Sequence, residues 1–469
     1  MLFNSPHFFV FFGICILLLS RGSKIYKKYI LLFSSYSFYG LWDWRFLLLI
    51  WISTIVDYAV GGKLFLTPEL NKRKILLFIS VFTNLVLLGF FKYYNFFIDS
   101  FIDLFGISGY TRTLNIILPV GISFYTFQTM SYTIDIYRKE FRPANSLLDF
   151  SNFVAFFPQL VAGPIERAKN LLPQIEKFNG ISKGHIRSAI ILLFLGYVKK
   201  VLISDNIAPI VDSYFDNFSQ LDSIYAMSGL ILFSFQIYFD FSGYSDIARG
   251  LAKLFGIDLM INFNQPYFSV SPSDFWRRWH ISLSTWLRDY LYIPLGGNRN
   301  GNFRTNINLM TTMLLGGLWH GASWNFVFWG GLHGFYLIIF KIFPNKKYID
   351  KSNFLSLVNK LIKIMFIYIL VLFTWLPFRT QDFTTTWEFL NHILLWTGNI
   401  DPAEVIFILF LSLVLIIIDL PAYITKDHLY LLKLPKWLLS SILVIGTAGI
   451  AITMLTYQDT VRPFIYFQF

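Results

Sequence analysis

From Leu438 to Leu455 the chain runs eighteen residues without a charge, and it is not alone in this. Val405–Leu420, Leu361–Leu376 and Ile75–Phe91 are nearly as apolar. A stretch of this length matches the ~20 residues a helix needs to cross a bilayer. In hydrocarbon every backbone polar group must be paired inside the segment, so such stretches fold as helices. Composition agrees. Of 469 residues 55% are hydrophobic and 14% charged, where a soluble chain carries about 25% charged. The expected class is an all-α polytopic membrane protein.

The net charge of +12 would suit nucleic acid if it were gathered on one face. Here the basic residues lie between apolar segments, so nucleic acid is not an expected partner. Arg21, Lys24, Lys27 and Lys28, then Lys72, Arg73 and Lys74, read as cytoplasmic loop markers. Lys341, Lys346, Lys347 and Lys351 form another group. A single cysteine, Cys15, excludes an internal disulfide, and no Cys/His set has metal-ligand spacing. Leu2–Leu19 lacks a basic start and a small-residue cleavage site, so it reads as a retained span.

Along the chain, Phe8–Ser20 reads as a first helix, Tyr29–Tyr39 as a short half-span, and Phe46–Val60 as a span broken by Gly61-Gly62 and Thr67-Pro68. Leu114–Met130 holds Pro119 and Gly121 near its start. Phe150–Ala162 is too short to cross and ends at Gly163-Pro164, with Glu166-Arg167 following, which fits a re-entrant or interfacial element. Ile186–Ile203 and Ile224–Phe241 read as helices, the second running into Asp240 and Asp246, carboxylates expected to cap helices or pair with nearby arginines. With Trp324–Phe343 and the later spans, the total is about ten to twelve crossings in one domain, residues 1–469.

Charge, tryptophan and histidine are forced together between Asp274 and Gly334. Ionisable groups beside apolar spans are expensive to keep, so this stretch is the candidate site, with its centre within 262–340. Ser273 or Asp274 is expected to cap a helix starting at Phe275, with Trp276, Trp279/His280, Leu283 and Leu287 on one face. His320 ends an apolar segment among Gly316, Gly317, Trp319 and Gly321, where small residues allow close approach. A buried neutral imidazole there can take a proton from a hydroxyl, although it can also be a structural hydrogen-bonding residue. His280 is a second catalytic candidate or an orienting group. His333 on an apolar helix reads as an interhelical hydrogen-bonding residue. Arg277, Arg278 and Arg288, with Trp276, Trp279 and Trp319, form a candidate donor-binding set, because guanidinium groups bind phosphates bidentately. The alternative for these arginines is a basic loop against lipid headgroups. No phosphate-binding glycine loop is present.

The run Asp274-Phe275-Trp276-Arg277-Arg278-Trp279-His280, continuing through Leu283, Trp286, Arg288, Asp289 and Tyr290 to Pro294 and Gly296-Gly297, resembles the membrane-bound O-acyltransferase family. So do Gly317-Leu318-Trp319-His320-Gly321, Pro158 through Ala162 to Ile165, and the C-terminal Arg462-Pro463-Phe464-Ile465-Tyr466-Phe467-Gln468-Phe469. The likeness is to the bacterial, alginate O-acetyltransferase-like branch. It implies a ring of helices around a thinned centre, with His320 as the catalytic histidine and His280 as the second motif residue. It implies acetyl-CoA as acyl donor, the bacterial inner membrane as location, an exported polysaccharide as acceptor, and a periplasmic SGNH-type acetyltransferase partner. D-alanyl transfer to teichoic acid and peptidoglycan O-acetylation are implied alternatives within the same family.

Tyr466 carries two readings, an acyl relay or an aromatic interfacial anchor. Two further classes compete with the enzyme: a transporter or flippase, and a non-catalytic scaffold for an external esterase. The first predicts paired, repeat-related broken helices, which the sequence does not contain.

Overall fold

The computed structural model describes residues 1–107, 114–161, 163–342, 354–456 and 462–467, the last without its side chain. Ala162, Phe343, Lys346, Lys347, Lys351, Gln468 and Phe469 of the sequence reading lie outside them. All regular structure among the described residues is helical. Seven helical stretches there are long and apolar enough to cross a bilayer. Lys24–Leu66, at 43 residues, has the length of two passes at 1.5 Å per residue, and Leu70–Phe105, at 36, falls short of two.

Several boundaries differ from the sequence reading. Tyr29–Tyr39 is the middle of a full 20-residue helix, Lys24–Asp43, which Ser23 caps through the Tyr26 N–H. The Gly61-Gly62 pair does not break its helix. Leu47–Leu66 passes through it and stops at Thr67, one residue before Pro68. Gly61 is instead a packing position, since a Cβ there would lie 2.5 Å from the Tyr132 ring.

The chain forms two compact units interleaved in sequence. The first comprises Met1–Tyr197, Tyr244–Met260 and Ile450–Phe467. Its helices Leu47–Leu66, Leu70–Leu88 and Ile122–Tyr137 share a buried polar seam. Asp57 accepts from Ser80 and from Asn84 at 2.8 Å, and Ser53 and Thr129 complete the network. The segment expected to be re-entrant becomes two short helices, Leu147–Ala155 and Phe157–Leu160, broken at Phe156. Residues 150–161 are buried, and Gln128 donates to the freed Phe153 carbonyl at 2.7 Å. That meets the condition for irregular backbone in an apolar setting.

The second unit comprises Val198–Gly243 and Ile261–Gly449. The expected centre, 262–340, lies inside it. Asp240 pairs with Lys200, which also meets Asp205 at 2.8 Å, so this buried carboxylate is paired as expected, with a lysine rather than an arginine. In the first unit Asp246 pairs with Arg249 at 3.0 Å.

Candidate active site

Helices Gly301–His320 and Trp324–Ile342 form a hairpin joined by only three residues. Their approach is set by glycine. A Cβ on Gly317 would meet the Phe326 carbonyl oxygen at 2.1 Å, and one on Gly330 the Met313 carbonyl oxygen at 2.2 Å. Gly321 lies against the Phe326 ring, where a Cβ would sit 2.1 Å from it. The short link is pinned from outside by Asn325, whose amide donates to the Thr380 carbonyl at 3.0 Å and to the Thr386 hydroxyl at 3.1 Å.

This hairpin places His320 at the last residue of its helix, 3% exposed. The carbonyls of a helix C-terminus stabilise a positive charge, which suits an imidazole that must take up a proton. Aromatic rings enclose it. Trp329 meets it edge to face at 4.9 Å, Trp319 at 5.2 Å, Phe378 at 5.5 Å and His280 at 6.1 Å between ring centroids.

The segment carrying His280 is not the continuous helix expected from its periodicity. Its cap is Ser271, whose hydroxyl accepts from the Asp274 N–H at 3.1 Å, and Pro272 occupies the first helical position. Neither Ser273 nor Asp274 caps it. The helix ends at Trp276, four residues turn, and a second helix begins at Ile281. His280 lies at the break with φ 42° and ψ 53°, in the left-handed region a residue with a side chain rarely enters. Asn262 holds the break. Its carbonyl accepts from the Ile281 N–H at 2.9 Å, and its side-chain oxygen meets Ser282 and His280 Nδ1. Burial holds the His280 imidazole down to about 3, so it is neutral across physiological pH. Desolvation is the cause, not the arginines beside it in the chain.

Trp276 and Trp279 join this enclosure. Trp276 lies 5.1 Å from His333 and 5.7 Å from Trp329, and Trp279 stacks on Phe275 at 5.7 Å. His333 packs on Trp329 at 4.6 Å. Three indole N–H groups, on Trp276, Trp279 and Trp329, are buried with no protein acceptor among the described residues. Burying an unmet donor costs about 1–3 kcal/mol, so a water or ligand oxygen is their expected partner.

The arginines do not gather here. Arg277, Arg288, Arg299 and Arg304 are exposed. Arg288 pairs with its neighbour Asp289 at 2.6 Å. Arg278 is half-buried, pairs with Asp274 at 3.0 Å, donates to the Asn264 carbonyl at 3.1 Å and lies over the Tyr423 ring. Thus the predicted set separates into buried tryptophans beside the histidines and arginines nearer the surface. Tyr466 belongs to the first unit, in a short turn where its ring stacks on Phe464 at 5.3 Å.

Sequence reading missed Asn262, Trp329 and Phe378. Asn262 stands in a loop without a motif, and the other two lie in apolar stretches that read as plain spans. Their only signal was aromatic density around His320. Among the described residues no cluster of three or more His, Cys, Asp or Glu side chains could hold a metal ion.

Chemically, the enclosure offers a proton acceptor, a second neutral imidazole, and buried donors of the kind that stabilise an oxyanion. Comparison with known proteins gives the family. Residues 138–379 match the family model described as MBOAT, membrane-bound O-acyltransferase family. A probable alginate O-acetylase of Azotobacter vinelandii is 41% identical over 83% of this chain and 77% of that protein. A peptidoglycan O-acetyltransferase of Helicobacter pylori is 37% identical over 74% of this chain and 71% of its own length. A teichoic acid D-alanyltransferase of Bacillus subtilis is 29% identical over 50% of this chain and 62% of its own.

Proposed function

Because the chain belongs to the membrane-bound O-acyltransferase family, we propose that it moves acetyl groups from cytosolic acetyl-CoA for O-acetylation of an exported polysaccharide, with His320 as the base. The chain is a multi-pass membrane O-acyltransferase. The observation that carries the reading is the enclosure of His320 by His280 and by Trp329, whose indole N–H has no protein acceptor among the described residues.

His320 removes the proton of an acceptor hydroxyl, whose oxygen bonds to the thioester carbonyl carbon. The carbonyl oxygen becomes an oxyanion, to which the Trp329 and Trp276 N–H groups donate in this reading. The carbon–sulfur bond then breaks, and His320 returns the proton to the leaving thiolate. Trp279 and Trp319 line the acyl-bearing end of the donor, while Arg277, Arg278 and Arg288 attract its phosphates.

The polymer lies outside the cell, so the acetyl group must leave the cytosolic side. We assign that export to the bacterial inner membrane, with delivery to a periplasmic SGNH-type acetyltransferase partner and Tyr466 as a covalent relay. Tyr466→Phe at normal abundance should abolish product acetylation; wild-type acetylation would remove Tyr466 from the path. Among relatives, the alginate O-acetylase names favour polysaccharide over peptidoglycan or D-alanyl transfer as the reaction.

The test is extracellular polysaccharide acetylation in a deletion strain complemented with wild type or His320→Ala at matched abundance. Acetyl esters restored by wild type alone support the enzyme. Equal restoration by His320→Ala would make His320 structural and favour a scaffold or transporter.

A further inference from the structure

The hydrogen bonds at Asn262 decide which nitrogen of His280 carries its proton. The Ser282 backbone N–H meets the Asn262 side chain at 3.2 Å, and the Ser282 hydroxyl meets it at 2.9 Å. A backbone N–H can only donate, so the amide atom it meets is the oxygen. His280 Nδ1 meets that same oxygen at 3.2 Å and the Ser282 hydroxyl, whose own hydrogen goes to Asn262, at 3.4 Å. Since this oxygen can only accept, Nδ1 carries the hydrogen and Nε2 carries the lone pair.

The ring is also fixed by its backbone. Ile281 N donates to the Asn262 carbonyl and Asn264 N to the Arg278 carbonyl, both at 2.9 Å, clamping the residues on either side of His280. The left-handed φ at His280 persists only where the surroundings enforce it. Phe241 meets the ring edge to face at 4.7 Å, and Trp319 at 5.8 Å, closing it from water. His320 shares this enclosure.

We propose that Asn262 is a positioning residue for acyl transfer, holding His280 as the Nδ1–H tautomer so that, in the enclosure it shares with His320, its Nε2 carries a lone pair and not a hydrogen. The proposal rests on the reading of His320 as the base. In that cycle the proton moves from acceptor hydroxyl to His320 and then to the thiolate, and His280 neither gains nor loses one. Its lone pair stabilises the imidazolium that His320 becomes; an N–H on that nitrogen would oppose it.

Charged and titratable groups lie on the elements packed around His280. His320 meets it from helix Gly301–His320. Helix Ser223–Leu254, which carries Phe241, bears Asp240, paired with Lys200. On its own segment Arg278 is paired with Asp274 and Arg277 is exposed. A new charge at position 262 would therefore dominate the ring's surroundings. Asn262→Asp keeps an acceptor for Nδ1–H and for Ser282, but its carboxylate favours the doubly protonated ring. The resulting cation opposes proton uptake by His320.

The experiment follows coenzyme A release from acetyl-CoA in inverted membrane vesicles of the native cell, from pH 5 to 8. Vesicles carry wild type, His320→Ala, Asn262→Ala or Asn262→Asp, and a deletion background is subtracted. We expect Asn262→Ala to lower the rate at least ~10-fold at unchanged acetyl-CoA KM, without moving the acid limb. Asn262→Asp should move that limb up by about one pH unit or more. A wild-type rate in Asn262→Ala, or an Asn262→Asp profile lying over wild type, overturns the proposal. Should the alanine variant fail to accumulate, the aspartate variant decides alone. A His320→Ala rate equal to wild type strikes the underlying reading of His320 instead, and the Asn262 proposal falls with it.

Discussion

His320 and Trp329 meet edge to face, their ring centroids 4.9 Å apart and their planes at 82°, one from each arm of a hairpin closed by three residues. The indole is fully buried, and its N–H has no protein acceptor among the described residues. Trp329→Phe keeps an aromatic edge against His320 and removes only that donor and some volume. If the N–H meets the developing oxyanion, kcat should fall ~100-fold, the usual effect of deleting one such donor. Steady-state kinetics at matched abundance check this, with acetyl-CoA KM expected to change little. An unchanged kcat would assign Trp329 to packing.

How much of this arrangement could be read in the sequence depends on what kind of signal each residue leaves. His320 was legible because glycines and tryptophans surround a lone ionisable group at the end of an apolar run. The break at His280 was not, since the spacing of Trp276, Leu283 and Leu287 fits a continuous helix, and nothing local announces a left-handed non-glycine residue. Asn262 precedes its partner by eighteen positions and acts through one shared oxygen. Trp329 looked like any aromatic in a span. The arginines leave another kind of signal: adjacency in the chain suggests one cluster, whereas Arg278 turns to Asp274 and Arg288 to Asp289.

The hairpin itself makes a sharp comparison. A Cβ on Gly330 would lie 2.2 Å from the Met313 carbonyl oxygen, which belongs to helix backbone and cannot step aside. One on Gly331 would make an ordinary 3.5 Å contact with the Leu314 side chain. Gly330→Ala should therefore destabilise by about 1–3 kcal/mol or more, through helix separation. Gly331→Ala should be neutral or stabilising by up to ~1 kcal/mol, because alanine is the better helix former. Thermal unfolding in detergent gives the order, with Gly330→Ala below wild type and Gly331→Ala at or above it.

Glu166 predicts a pH slope in stability. It is 1% exposed and accepts from the Met260 N–H, and burial, partly offset by that bond, raises its carboxyl to about 7. The folded chain therefore binds this proton more tightly than the unfolded chain does. Stability contributed by the protonated form is present at low pH and declines from the unfolded value near 4.5 to about 7, by roughly 3 kcal/mol in all. Glu166→Gln keeps the acceptor for Met260 and carries no charge. Its melting temperature should gain on wild type as pH rises from 5 to 8, and parallel curves would remove Glu166 as the cause.

Arg277 and Arg278 are adjacent yet should fail in different ways. Arg278 is half-buried, and its guanidinium joins Asp274 to the Asn264 carbonyl, so it ties the segment before His280 to the loop that follows Asn262. Arg278→Ala leaves that carboxylate and carbonyl without this partner, and should lower stability by about 1–3 kcal/mol as well as activity. Arg277 is exposed, so its removal costs the fold little. If it draws the phosphates of the donor, Arg277→Ala should raise acetyl-CoA KM ~10-fold, leave kcat and melting temperature near wild type, and weaken the salt dependence of KM, since the attraction between exposed charges is screened. An unchanged KM for Arg277→Ala would leave the phosphate role to Arg288 or to none of these arginines. A KM defect confined to Arg278→Ala would mean that the donor is held through the clamp on the His280 segment, not through the surface charge beside it.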